Sequence, residues 1–274
     1  MPDYQFNGQN FDLKYPAIMG ILNLTPDSFS DGGKFLEPEI AVNQALEMIQ
    51  QGAQIIDIGG ESTRPGSDPV SEEEELSRIL PVLEKLPKDQ FIISLDTTKP
   101  GVAKIGLEYG AHIINDVSGG NTQLLDLAQA YGAGFVLMHV KGSPKTMQEA
   151  PSYQNIIEET LSFFNQKKED LSERKFPRIW IDPGIGFGKS LEHNITLMRN
   201  LREFKDDAWG ILLGSSRKSW IDHLCNVPKT ENRLGGSIAS ALAAIPQGVE
   251  IIRVHDVQET IQAISVAKEL ALFE

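Results

Sequence analysis

A chain of 274 residues with 41% hydrophobic content is long enough to bury one large core of the α/β barrel size. Its formal net charge of −13 argues against a chain-wide surface for nucleic acid or an anionic membrane, and a single cysteine, Cys225, excludes an internal disulfide framework and fits a reducing compartment. No run approaches a membrane span, and the opening MPDYQFNGQNFDLKY has neither the basic flank nor the apolar stretch of a signal peptide, so a cytoplasmic protein is expected.

In chain order, FNGQNF places Asn7-Gly8 between alternating residues, which predicts a short hairpin within residues 1–15 that caps whatever mouth follows. AIMGILNL reads as a buried strand that empties into the polar, glycine-bearing loop TPDSFSDGG. A helix is expected from Pro38 to Ala53, with proline in its first turn and Gly52 near its end. The strand QIIDIGG precedes the helix SEEEELSRILPVLEKL, whose acidic first turn suits the positive end of the helix dipole. FIISLDT pairs with PGVAKIGLEYG, and HIINDVSG with NTQLLDLAQAYG. GFVLMHV leads through a long loop to NIIEETLSFFNQKKEDLSER, and RIWIDPG leads to SLEHNITLMRNLREF. WGILLGS leads to a helical stretch through RLGGSIASALAAI, and VEIIRVHD to VQETIQAISVAKELALF. Near-continuous apolar strands alternating with amphipathic helices imply a parallel sheet, and a count of eight favours a single (β/α)8 TIM barrel over residues 1–274 rather than an open doubly wound sheet.

Barrel active sites form where strands end, and polar residues collect there. Asn23 follows the first strand, Asp57 and Glu61 to Arg64 the second, Asp96 the third, and Asn115 and Asp116 the fourth. Met138 and His139 follow the fifth, Asp182 the sixth, Ser215 to Ser219 the seventh, and Arg253 and His255 close the eighth. One aspartate at a strand end is usually a helix cap or turn former. Eight in register are hard to explain as caps. Asp57, Asp96, Asn115 and Asp182 supply acceptors suited to a flat heterocycle with adjacent N–H donors. Lys218, Arg253 and His255 put positive charge on the opposite arc, which in an acidic protein points to an anionic ligand group such as a phosphate or carboxylate. The plainer reading of Arg253 and His255 is ion pairing with Asp256 or neighbours. Asn23 and nearby acidic residues suit Mg²⁺, which prefers hard oxygens and often shares them with a pyrophosphate.

Three motifs fail on inspection. GIGFGKS, residues 184–190, has Pro183 where a P-loop needs its first glycine. GIGFG lacks the dinucleotide spacing, and GGESTRPG does not meet the nucleophile-elbow pattern. His112, His139 and His193 show no zinc-ligand spacing, and core or surface histidines are expected at 112 and 193.

From MGILNLTPDSF through DIGGESTRPG, DTTKP, IINDVSGG, LMHVKGSPKTMQ, IDPGIGFGK, GSSRKS and IIRVHDV, nearly the whole chain resembles the bacterial-type dihydropteroate synthases. The resemblance implies a (β/α)8 barrel, typically dimeric, that condenses dihydropterin-methyl pyrophosphate with p-aminobenzoate by a dissociative route, with sulfonamides competing at the aminobenzoate site. It implies Asp96, Asn115, Asp182 and Lys218 in the pterin pocket, with Met138 packing on the ring. Asn23 would be the ligand of pyrophosphate-bound Mg²⁺, and Arg64, Arg253 and His255 would contact the pyrophosphate. Asp96, Lys218, Arg253 and His255 are the expected catalytic set. Phe29, Thr63, Pro65 and Ser219 would bind aminobenzoate, the TPDSFSDGG loop serving as a lid through Asp27, Phe29 and Asp31. Leu24 and Ile185 depart from the commoner Val and Phe without removing a polar contact. A methyltransferase of the same barrel family has no need of the two lids and the phosphate cradle, and a non-catalytic paralogue would be expected to have lost Asn23, Arg253 or His255.

Overall fold

The computed structural model describes residues 3–25, 38–62, 67–142, 147, 151–206 and 208–273. The stretches carrying Asp27, Phe29 and Asp31, and Thr63, Arg64 and Pro65, lie outside the described residues.

The chain begins with an antiparallel hairpin, β1 (Asp3–Phe6) and β2 (Gln9–Asp12). Asn7 and Gly8 both take positive φ, 47° and 77°, as the two-residue turn of a hairpin requires. Eight parallel strands then close into a barrel: β3 (Ala17–Asn23), β4 (Ile55–Gly59), β5 (Ile92–Asp96), β6 (Ile113–Asp116), β7 (Gly134–Met138), β8 (Ile179–Asp182), β9 (Gly210–Leu213) and β10 (Ile251–Val254), the last pairing back onto β3. Around them run α1 (Pro38–Gln50), α2 (Glu72–Lys85), α3 (Pro100–Glu108), α4 (Thr122–Tyr131), α5 (Ile156–Asp170), α6 (Leu191–Arg199), α7 (Ser219–Cys225), α8 (Leu234–Ala244) and α9 (Val257–Glu269). Among the described residues no helix is long and apolar enough to cross a membrane.

Because successive strand residues face opposite sides, each strand serves two cores. Ile56, Ile58, Ile93, Leu95, Ile114 and Leu137 face outward and join the apolar stripes of the helices in one large cluster. Met19, Ile55, Ile92, Ile113, Val136, Trp180, Leu212 and Ile251 face inward and fill the N-terminal end of the barrel. The hairpin completes that layer: Phe6, fully buried, lies 6.0 Å from the Trp180 ring, and Tyr4 lies 5.7 Å from it. His112 ties the same end together. Its Nδ1 accepts from the Ile93 amide at 3.0 Å, its ring meets Phe11 edge-on, and burial pulls its pKa down to about 4, so it is a neutral core histidine.

Local chemistry sets the helix starts. Ser71 accepts from the Glu74 amide at 3.1 Å to cap α2, and Asn121 and Asn155 do the same for α4 and α5. His193 belongs to a reciprocal cap, its Nδ1 accepting from the Ser190 amide while its own amide donates to Ser190 Oγ, both at 3.2 Å. The helical stretch expected after the seventh strand is broken into α7 and α8. Asn226 ends α7 in the left-handed region at φ 55°, and Pro228 lacks the N–H a continuing helix needs. Arg233 then donates to the carbonyls of Val227, Pro228 and Arg217, fixing the corner.

Candidate active site

An inward-facing residue at the bottom of a strand is followed, an even number of residues later, by another inward-facing residue nearer the C-terminal mouth. Counting by twos from the buried bottom layer turns apolar into polar on six strands, Met19 to Asn23, Ile55 to Asp57, Ile92 to Asp96, Ile113 to Asn115, Trp180 to Asp182, and Ile251 to Arg253 and His255, and reaches the apolar Met138 from Val136 on β7. All of the upper residues except Asp57 line one cavity of about 260 Å³, together with Lys218 and Ser219 from the loop and helix start after β9.

The same parity corrects two strand-end residues. Asp116 faces outward and accepts from the amides of Ser118, Gly120 and Asn121 at 2.7, 2.8 and 3.0 Å, so it is a loop cap. His139 also points away from the cavity, into the rings of Phe163 and Phe164.

The acidic and basic residues do not sit on separate arcs. Arg253 Nε donates to Asp57 Oδ2 at 2.6 Å and its Nη2 donates to Asp96 Oδ2 at 2.7 Å, while Asn115 Nδ2 donates to Asp57 Oδ2 at 3.0 Å. Asp256 is taken by Arg217, whose Nε meets Asp256 Oδ2 at 2.9 Å, so Arg253 pairs into the barrel and not with its neighbour in sequence. Asp57 Oδ1 and Asp96 Oδ1 are buried and accept no hydrogen bond from the protein. Burial pushes Asp96 up to about 7, against the pull of Arg253 and with the help of Asp57. Asp57 and Asp96 more than offset the effect of burial on Arg253, holding its pKa above the ordinary value.

Across the cavity, Asp182 Oδ1 accepts from the Gly184 amide at 2.8 Å, and burial raises its pKa although Lys218 opposes the shift. Lys218 Nζ donates to the Ile185 carbonyl at 2.5 Å and stands 4.6 Å over the Phe187 ring. Burial lowers its pKa to about 8, with Asp182 resisting. A Cβ on Gly214 would come within 3.5 Å of Asp182 Oδ2 and 3.8 Å of both Arg253 Cδ and Lys218 Nζ, so these side chains converge where the backbone carries no side chain. At the mouth, His255 Nδ1 lies 3.1 Å from Ser216 Oγ, and Ser219 opens α7.

Two participants were not singled out from sequence for the site: Phe187, as the ring beneath Lys218, and the Ile185 carbonyl. Their only signal was the glycine spacing of GIGFG, which marks close backbone approach without naming a partner. The cavity therefore presents a deep edge of acceptors, a half-buried ammonium and guanidinium, and an imidazole at the rim.

Residues 19–255 match the family described as pterin binding enzyme. The dihydropteroate synthase of Escherichia coli K12 is 47% identical over 265 residues, covering 95% of this chain and 94% of that one. The crystal structure of the Yersinia pestis dihydropteroate synthase with a sulfonamide drug complex superposes with a TM-score of 0.90 at 41% identity, over 98% of this chain and 99% of that one. The Xanthomonas albilineans dihydropteroate synthase with 4-aminobenzoic acid gives a TM-score of 0.90 at 37% identity over 98% of each chain. A shared barrel alone would leave the chemistry open, but identity at this level along nearly the full length does not: the chain belongs to the pterin-binding enzymes and, within them, to the dihydropteroate synthase family.

Proposed function

We propose that this chain condenses dihydropterin-methyl pyrophosphate with p-aminobenzoate to give dihydropteroate and pyrophosphate. The observation that carries the reading is the single cavity that Asp96, Asn115, Asp182 and Lys218 line together with Asn23 and His255, within a chain 47% identical to a dihydropteroate synthase.

A pterin edge offers adjacent N–H donors and ring acceptors. Asp182 and the free Oδ1 of Asp96 accept from the donors, and the Lys218 ammonium donates to an acceptor. Met138, buried at the end of β7, packs its polarisable sulfur against the ring face. Arg253 and His255 hold the pyrophosphate and stabilise its charge as the C–O bond breaks. The carboxylates stabilise the pterin-methyl cation left behind. The aniline nitrogen then attacks and loses its proton late, so no general base is assigned. Ser219, at the first turn of α7, receives the aminobenzoate carboxylate.

The donor set fits Mg²⁺. Such an ion takes one or two protein oxygens and completes its shell with water and substrate phosphates. Asn23 Oδ1 is a hard oxygen at the end of β3, and Gly59 beside it leaves the wall open, a Cβ there lying 3.8 Å from that oxygen. When bound, the ion neutralises charge on the leaving pyrophosphate.

Purified protein, Mg²⁺, the pterin pyrophosphate and labelled p-aminobenzoate should yield labelled pteroate, with sulfonamide competing against aminobenzoate. Absence of product from folded protein that binds the pterin would sink the reading. Homodimerisation and a cytosolic location complete the proposal on the family resemblance. Sedimentation equilibrium and cell fractionation read them.

A pH dependence follows from two of the shifted groups, Asp96 and Lys218. Accepting a pterin N–H requires the Asp96 carboxylate, so pteroate affinity should rise as the pH passes upward through about 7. Donating requires the Lys218 ammonium, so affinity should fall again above about 8. Calorimetric titrations from pH 6 to 9 should show this maximum, and Asp96→Asn should remove the acid limb. Retention of that limb in Asp96→Asn would assign it elsewhere.

A further inference from the structure

The lysine of GIGFGKS points its ammonium at protein acceptors. Lys189 is 3% exposed, and its Nζ lies 3.0 Å from the Phe187 carbonyl, 3.3 Å from the His139 carbonyl and 3.1 Å from His139 Nδ1. Three acceptors around three N–H donors make a complete set for an ammonium. His139 is matched to it: burial and the Lys189 charge hold its pKa down to about 3, so the ring is neutral and its Nδ1 is free to accept. Burial also draws Lys189 itself down to about 7, with Asp182 resisting. Taking an ammonium out of water costs several kcal/mol before any bond repays it, and an apolar side chain would pack the same space without that penalty. The charge therefore serves something other than burial.

What it holds is the turn after β8. Gly184 takes φ 73°, and a Cβ there would lie 2.0 Å from the His139 carbonyl oxygen, the same atom that Lys189 meets. The turn is thus pressed against the segment after β7, with Lys189 as the pin. Asn194, 3% exposed on α6, grips it from the other side by accepting from the Gly186 amide at 2.8 Å. Between the two pins the turn presents the Ile185 carbonyl and the Phe187 ring to Lys218, and the Gly184 amide to Asp182.

We propose that Lys189 is a positioning residue for the pterin pocket: by fixing the 183–189 turn on the His139 segment, it sets where Lys218 and Asp182 meet the ligand edge. The proposal rests on the pterin-binding reading above, and it separates Lys189 from the phosphate-binding part its sequence context imitates.

A double-mutant cycle tests it. Pteroate binding is measured by calorimetry for Lys189→Met in the wild-type and Lys218→Met backgrounds, with KM determined for both substrates and thermal unfolding as the fold control. Losing one well-placed hydrogen bond to a charged group costs roughly 10- to 150-fold in affinity, and about 10²-fold is the loss expected for Lys189→Met in the wild-type background. KM for the pterin pyrophosphate rises by a similar factor while KM for aminobenzoate stays within about threefold. In the Lys218→Met background the further loss shrinks to less than about tenfold, because one of the two groups through which Lys189 acts is gone and only the Asp182 part remains. Equal losses in both backgrounds, unchanged pteroate affinity in a folded Lys189→Met protein, or a loss confined to aminobenzoate would each overturn it. Where Lys189→Met does not fold, Lys189→Gln carries the same cycle. Calorimetry needs no turnover, so failure of the synthase reading shows in the product assay and failure of this one shows in the binding cycle.

Discussion

Arg253→Ala should lower unfolding stability by about 3–5 kcal/mol, the usual cost of breaking a buried ion pair by removing one partner. Asp57 is fully buried, Asp96 is 4% exposed, and both lean on the one guanidinium at 2.6 and 2.7 Å. Without it, two carboxylates face each other in a site that already raises Asp96 to about 7, and one must take up a proton or draw in water. Against a typical total stability of about 5–15 kcal/mol this is a large fraction, and urea unfolding of the two proteins measures it. The geometry also gives Arg253 a double part that its place beside His255 in the sequence hides. Arg253→Ala should weaken pteroate as well as the pterin pyrophosphate, because Asp96 moves with it. His255→Ala, which disturbs a side chain at the rim against Ser216, should weaken chiefly the pyrophosphate-bearing ligand. A urea midpoint unchanged by Arg253→Ala would show that the pairing contributes nothing to the fold.

Asp182→Ala should weaken pteroate binding by about 1.5–3 kcal/mol, or roughly 10- to 150-fold, since a hydrogen bond to a charged group is lost and the ligand donors are left unpaired. The loss reaches beyond one contact. Asp182 is the leading charge resisting the fall of the Lys218 pKa, so in the variant that ammonium should give up its proton below its present value of about 8. The basic limb of the affinity profile should therefore move to lower pH. Asp182→Asn keeps an acceptor for the Gly184 amide and should lose less than alanine. Calorimetry on folded Asp182→Ala that returns wild-type affinity would remove this residue from the pterin pocket.

Much of this was legible in the chain. Apolar runs alternating with amphipathic helices are local patterns, so the eight strands, the barrel they close and the Asn7-Gly8 hairpin could be read before any contact was known. The strand-end positions of Asn23, Asp96, Asn115, Asp182 and Arg253 came from the same register, because a strand carries its side chains with a fixed period of two. Only the tertiary structure decided which way that period pointed at the last residue. Asp116 follows Asn115 directly yet faces the other side, and His139 follows Met138 in the same way. It also decided the pairings. Arg253 and Asp57 are 196 residues apart, and nothing local tells a guanidinium whether its carboxylate will be Asp256 in the next turn or Asp57 across the barrel. Lys189 was invisible for the same reason: its three acceptors lie on two segments that only barrel closure brings together. Sequence determines element type and the alternation of faces because both follow from backbone geometry over a few residues, whereas the inward face, charge partners, buried pins and shifted pKa values depend on which distant strands become neighbours.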